Sequence, residues 1–219
     1  MTAFTGPDAS GITALAGTDG TNNSASNLTW KVRGSNGWNT AAAIGTQGAE
    51  FFASTANEQN IVASFDWYPS TKSEAALLVQ YTVDGTNWIN APAADIQLPT
   101  SSSLSLVTNS SSANTVQGTY IDTTKGNTWY NGITISFANI SAASNDPLFG
   151  FRLVNASTGA DDLQASGGAL DNTSGNWSFD NVQISGVSAV PEPSTCALLL
   201  GGAGLALAAL KRRRRALSA

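Results

Sequence analysis

The chain has 219 residues, only 11% of them charged, with no histidine and one cysteine. Residues 1–190 hold five basic and fourteen acidic side chains, a net charge of −9, and the other five basic residues stand together at 211–215. So acidic a body excludes nucleic-acid binding, which needs Lys and Arg to neutralise phosphate; the missing histidine excludes the Ser-His-Asp triad, the Cys-His dyad and the usual catalytic zinc sets.

In chain order, Met1–Gly20 shows neither a basic stretch nor a continuous apolar run, so it does not read as a signal peptide. It reads as part of a flexible segment, residues 1–27. Leu28–Arg33 and Ala49–Ala53 are the first strand candidates. In Ile61–Trp67 the residues Ile61, Ala63, Phe65 and Trp67 share one face, and in Leu77–Val83 the set Leu77, Val79, Tyr81 and Val83 does the same. Asp84-Gly85 follows at once, the strongest short hairpin signal, and predicts a tight turn into Thr86–Ile89. Leu104–Thr108, Thr115–Ile121, Ile133–Ile140, Leu148–Val154 and Trp177–Ser185 continue the pattern. Trp177 and Phe179 are in one phase and Val182 and Ile184 in the other, which predicts a β-bulge at Asp180-Asn181. Ala156–Gly175 reads as a flexible loop. About nine or ten short strands with Gly, Asn and Ser between them, and no amphipathic helix of useful length, predict an all-β fold, a β-sandwich or jelly roll, over residues 28–188.

The chain then changes character. Val190-Pro191-Glu192-Pro193-Ser194-Thr195 precedes fifteen uncharged residues from Cys196 to Leu210, greasy through Leu198, Leu199, Leu200, Leu205, Leu207 and Leu210. Lys211, Arg212, Arg213, Arg214 and Arg215 follow. As a single hydrophobic helix the run spans about 22 Å at 1.5 Å per residue, short of the ~30 Å hydrocarbon core, so it reads as a marginal membrane anchor. The basic cluster holds its end, with 216–219, in the cytoplasm and leaves the body outside the inner membrane. Two prolines leave an extended, accessible segment before it.

That order over Val190–Arg215 resembles the PEP-CTERM protein-sorting signal of Gram-negative bacteria, and the sorting and anchor segment is set at 189–215. The resemblance implies that a membrane-embedded exosortase reads the Pro-Glu-Pro and processes the tail. It further implies a destination in the cell envelope or the extracellular, biofilm-type matrix rich in exopolysaccharide. Such a tail is useless without export, so the natural start codon is expected upstream of Met1, with a processed or partial fragment as the alternative. The segments YTVDGTNW (Tyr81–Trp88), FGFRLV (Phe149–Val154) and WSFDNVQISG (Trp177–Gly186) resemble the jelly-roll domains of PEP-CTERM proteins, akin to carbohydrate-binding modules.

The body offers residues for three chemistries. For calcium as a structural ion, Asp19 lies in a Gly-Asn turn and Asp161, Asp162 and Asp171 in the loop before the last strand; these oxygens suit a hard cation, though turn residues look alike. The jelly-roll resemblance adds Asp180. For sugar binding, Trp38 and the adjacent Trp129 and Tyr130 lie in Asn- and Gly-rich stretches, where an aromatic face could stack on a sugar ring; packing over a sheet edge is the alternative. Trp67, Trp88 and Trp177 read as core. For glycan hydrolysis, no spacing picks two of the fourteen carboxylates as an acid and base pair. The expectation is an exported, non-catalytic structural or adhesive protein, with no cofactor unless calcium binds; the alternatives are a carbohydrate-binding module on exopolysaccharide and, behind it, a hydrolase.

Overall fold

A computed structural model describes residues 2–4, 9–16, 28–34, 38–170 and 174–189. In chain order the strands are β1 (Thr2–Phe4), β2 (Ala9–Ala16), β3 (Leu28–Gly34), β4 (Gly48–Phe52), β5 (Glu58–Pro69), β6 (Ala76–Thr82), β7 (Ile89–Asn90), β8 (Ile96–Gln97), β9 (Leu104–Asn109), β10 (Gly118–Thr123), β11 (Tyr130–Ser136), β12 (Gly150–Asn155) and β13 (Trp177–Ser188). They form two antiparallel sheets. The first runs β1-β4-β12-β6-β10-β9, with β7 also on β6; the second runs β2-β3-β13-β5-β11-β8. Among the described residues the helices are single 3-10 turns of three residues. The molecule is the expected β-sandwich, and its two sheets agree with a jelly roll.

The alternation read from the sequence builds the core. Phe51 of β4, Phe151 of β12 and Leu77 and Val79 of β6 face Phe65 of β5 and Phe179 of β13 across the sandwich. Phe65 and Phe151 lie 6.3 Å apart between ring centroids, and Phe51 meets Phe179 edge-on at 6.3 Å. Burying a side chain of this size contributes about 1.5–3 kcal/mol. A smaller cluster of Ala76, Leu78, Val116, Val154 and Ala156 lies on the other side of the first sheet.

The predicted bulge is present. Asn181 adopts φ +48, and the core contacts of β13 pass there from Trp177 and Phe179 to the partly buried Val182 and Ile184. A second bulge stands on β11, where the pairing with β5 shifts between Tyr130 and Ile133 and Gly132 takes φ +73. Asp66 on β5, the strand between them, joins both. Its Oδ1 accepts the Gly132 amide at 2.7 Å and its Oδ2 accepts Asn181 Nδ2 at 2.7 Å.

Three expectations need correction. The segment expected to be flexible before residue 28 contains β1 and β2, whose pairing partners are β4 and β3. Five of the eight residues of β2 are Ala, Ser or Gly, which leaves only a weak strand signal around Ile12 and Thr13. Asp84-Gly85 is not a two-residue turn: β6 stops at Thr82 and pairing resumes at Ile89. The Asp84 carboxylate organises this longer loop, accepting the Thr86 and Asn87 amides at 2.8 and 2.7 Å. The strands expected at Thr115–Ile121 and Ile133–Ile140 are displaced: Thr115 makes only a bridge to Ser157, and Ile140 caps a 3-10 turn.

Candidate functional site

Among the aromatic residues proposed for sugar stacking, two are corrected. Trp38 is buried, 2% exposed, with its ring centroid 4.3 Å from that of Trp177. The stretch that follows it folds back on the sandwich, through Gly45 N to Asn155 O at 3.0 Å and Gly159 N to Thr40 O at 2.6 Å. Tyr130 opens β11 facing inward; it is buried, and its hydroxyl meets Lys125 O at 2.9 Å and Ser103 Oγ at 3.1 Å. Neither ring offers a face to a ligand.

Trp129 is partly exposed. It precedes an inward residue and so turns to the outer side of the second sheet, where Tyr68 alternates with the buried Trp67. The Trp129 and Tyr68 rings lie 5.2 Å apart, tilted by 45°. Tyr68 donates its hydroxyl to Asn127 Oδ1 at 3.1 Å, and the Thr71 amide donates to the same oxygen at 3.2 Å. Asn127 is itself tied to Pro69 O at 2.8 Å, in a left-handed conformation at φ +54. The result is a fixed ledge of two aromatic rings and an amide. Tyr68 was legible as the residue out of phase with Trp67, but the sequence did not link it to Trp129.

A second aromatic group lies on the outer face of the first sheet. Trp88, read as core, is only partly buried and carries Arg152 over its ring at 4.5 Å. Register places Arg152 opposite Glu50 on β4 and Gln80 on β6. Arg152 Nε donates to Gln80 Oε1 at 2.6 Å, and its guanidinium stands 3.7 Å from the Glu50 carboxylate. Burial pushes the Glu50 carboxyl up, against the pull of Arg152.

The acidic residues proposed for calcium that the structure describes, Asp161, Asp162 and Asp180, form no metal-binding group. Asp19 and Asp171 lie outside the described residues. Asp161 turns to the hydroxyls of Ser112 and Thr115, the latter at 2.7 Å, and these hold its carboxyl below the usual range. Its neighbour Asp162 turns inward, 2% exposed, and its Oδ1 lies 2.9 Å from Ser157 Oγ. Asp180, on β13, accepts the Asn181 amide at 2.7 Å. Among the described residues no group of three or more acidic, His or Cys side chains is placed to hold a metal ion.

The carboxyl that Asp162 does approach is Glu74, a residue the sequence did not single out. Glu74 is 1% exposed, and its Oε1 accepts Ala156 N at 3.1 Å, Ser157 N at 3.2 Å and Ser157 Oγ at 3.1 Å. Burial, then Asp162, pushes Glu74 well up; burial pushes Asp162 to about 6. Sealed from solvent, the pair cannot reach a glycan.

The sorting residues Val190–Thr195, the anchor and the basic cluster lie outside the described residues. Among those described, no helix is long and apolar enough to cross a membrane. Comparison with known families finds a PEP-CTERM protein-sorting motif at residues 189–215, one residue after β13 ends. Comparison with curated proteins and with solved structures yields no significant match. The motif marks an exported protein with a membrane-anchored sorting tail, a substrate for an exosortase-type enzyme.

Proposed function

We propose that the chain is a non-catalytic structural or adhesive component of the cell envelope or extracellular matrix, held at the inner membrane by its tail until that tail is processed. The observation that carries this reading is the sorting motif joined almost directly to the last strand of the sandwich. Mass spectrometry of the C-terminal peptide from envelope and matrix fractions tests it. A matrix form that ends near Pro191–Thr195 is expected; a matrix form with Arg212–Arg215 intact overturns it.

The Tyr68–Trp129–Asn127 ledge favours a second reading, an exopolysaccharide-binding module. Aromatic faces stack on the apolar faces of sugar rings, and rings fixed before binding lose little entropy on it. The test is binding of the full chain, in mild detergent, to purified polysaccharides with calcium and with a chelator. Saturable binding lost in Trp129→Ala but kept in Trp88→Ala supports the ledge; loss with chelator adds a calcium site. Equal responses across the panel leave the structural reading alone, and released product would make it a hydrolase.

A further inference from the structure

One hydroxyl stands between two buried carboxyls. Ser157 Oγ lies 3.1 Å from Glu74 Oε1 and 2.9 Å from Asp162 Oδ1, and all three residues are at most 2% exposed. A serine hydroxyl has one hydrogen, so it donates to only one of them. The other contact is a hydrogen bond only when that carboxyl carries a proton. If both carboxyls ionised, one short contact would set two acceptor oxygens together in a dry site, and such an arrangement is costly.

Among the described residues the surroundings offer no compensating positive charge. The charges acting on the pair are the two carboxyls themselves and Asp161, all negative. On the strand side Trp177 Nε1 donates to Glu74 O at 2.8 Å, and from the 112–115 loop Ser112 and Thr115 face Asp161 with hydroxyls. Lys72, the nearest basic residue in sequence, is exposed at the surface. The amide hydrogens of Ala156 and Ser157 point at Glu74 Oε1, so that oxygen is poorly placed for a bound cation, and Glu74 Oε2 is buried with no hydrogen-bond partner. The group that satisfies this geometry is a proton.

The pair joins two pieces of chain. Residues 157–165 run beside 73–75, with Ala75 N bonded to Leu163 O at 2.9 Å, Ala165 N to Ser73 O at 2.8 Å, and an antiparallel bridge between Glu74 and Gln164. We propose that Glu74, Ser157 and Asp162 form a proton-operated latch, which fastens the segment 157–170 to the sandwich in mild acid and slackens it as pH rises.

The sign follows from linkage. Asp162 is raised to about 6 from 3.8, and Glu74 is raised as well. A carboxyl raised by folding contributes stability that is fully present below its unfolded value and is lost as pH climbs through its folded value. Between about pH 4 and about pH 6 each pH unit therefore multiplies the opening constant of the segment by up to about ten, the limit for one released proton.

The experiment is hydrogen exchange by mass spectrometry on the full chain in mild detergent, at about pH 5 and about pH 8, corrected for intrinsic exchange. The expected result is weaker protection of Ala75, Ala156, Ser157 and Ala165 at the higher pH, and a difference abolished in Asp162→Asn and in Glu74→Gln. Equal protection at both pH values in the parent chain overturns the latch, as does a pH dependence kept in both variants. If neither variant folds, infrared spectroscopy of the parent chain decides: a buried protonated carboxyl band in mild acid that fades at alkaline pH supports the latch, and its absence overturns it. Protection that depends on added calcium overturns it in favour of a cation site.

Discussion

Replacing Asp66 by Ala removes the clasp between two bulges. Its carboxylate accepts the Gly132 amide and Asn181 Nδ2, both at 2.7 Å, and the side chain is 4% exposed. Hydrogen bonds to a charged group contribute about 1.5–3 kcal/mol each, a gross loss of about 3–6 kcal/mol. Part is regained, because the variant no longer keeps a carboxylate out of water and because Gly132 is exposed, so water can meet its amide. The expected net loss is about 2–4 kcal/mol. Asp66→Asn keeps an acceptor for Gly132 but turns a donor toward Asn181, which can reverse its amide, so it should cost about half as much. The assay is urea unfolding followed by tryptophan fluorescence and circular dichroism. A loss below about 0.5 kcal/mol in Asp66→Ala, the range of an ordinary surface change, refutes the clasp. Tyr68 is two residues from Asp66, and Trp129 is three from Gly132. If the ledge binds saccharide, the Asp66→Ala protein that stays folded should also bind it more weakly.

Trp38→Ala should cost about 3–5 kcal/mol in the same urea assay, through an unfilled cavity against Trp177, and should leave any saccharide affinity of the folded fraction unchanged. Asp84→Ala should speed hydrogen exchange at Thr86 and Asn87 while leaving the unfolding midpoint nearly unmoved, because the loop it ties is at the surface. Replacing Pro191, Glu192 and Pro193 by Ala should retain the protein in the membrane fraction, read by immunoblot; normal release to the matrix would contradict processing at that motif.

The sandwich was legible wherever one face of a strand is buried. Ile61, Ala63, Phe65 and Trp67 alternate because β5 lies in the middle of its sheet with the core on one side. The bulge at Asn181 was legible for the same reason, since the two phases on β13 both had to reach the core. β2 was not legible, because an edge strand rich in small residues carries little alternation in its sequence, and its place is set by pairing with β3. The Asp84-Gly85 turn misled because turn chemistry fixes local curvature only. Asp84 uses its carboxylate to bind Asn87 and Thr86, and the pairing partner of Tyr81 is then Ile89.

Function was legible in one place only, where it depends on local order. The tail is read by another protein as a linear arrangement, Pro-Glu-Pro, then apolar residues, then Arg, so the sequence carries all of it. A site assembled across strands has no such signature. Trp38 and Tyr130 sat in Asn- and Gly-rich stretches like Trp129, yet the fold turned two of the three inward and brought Tyr68, from 61 residues away, to the third. Glu74 and Asp162 are 88 residues apart, and no motif in the sequence links them. What distinguishes them is that Ser157 reaches both, and a single hydroxyl hydrogen cannot satisfy two carboxylates. That constraint exists only in the folded chain, and it makes a proton part of the structure.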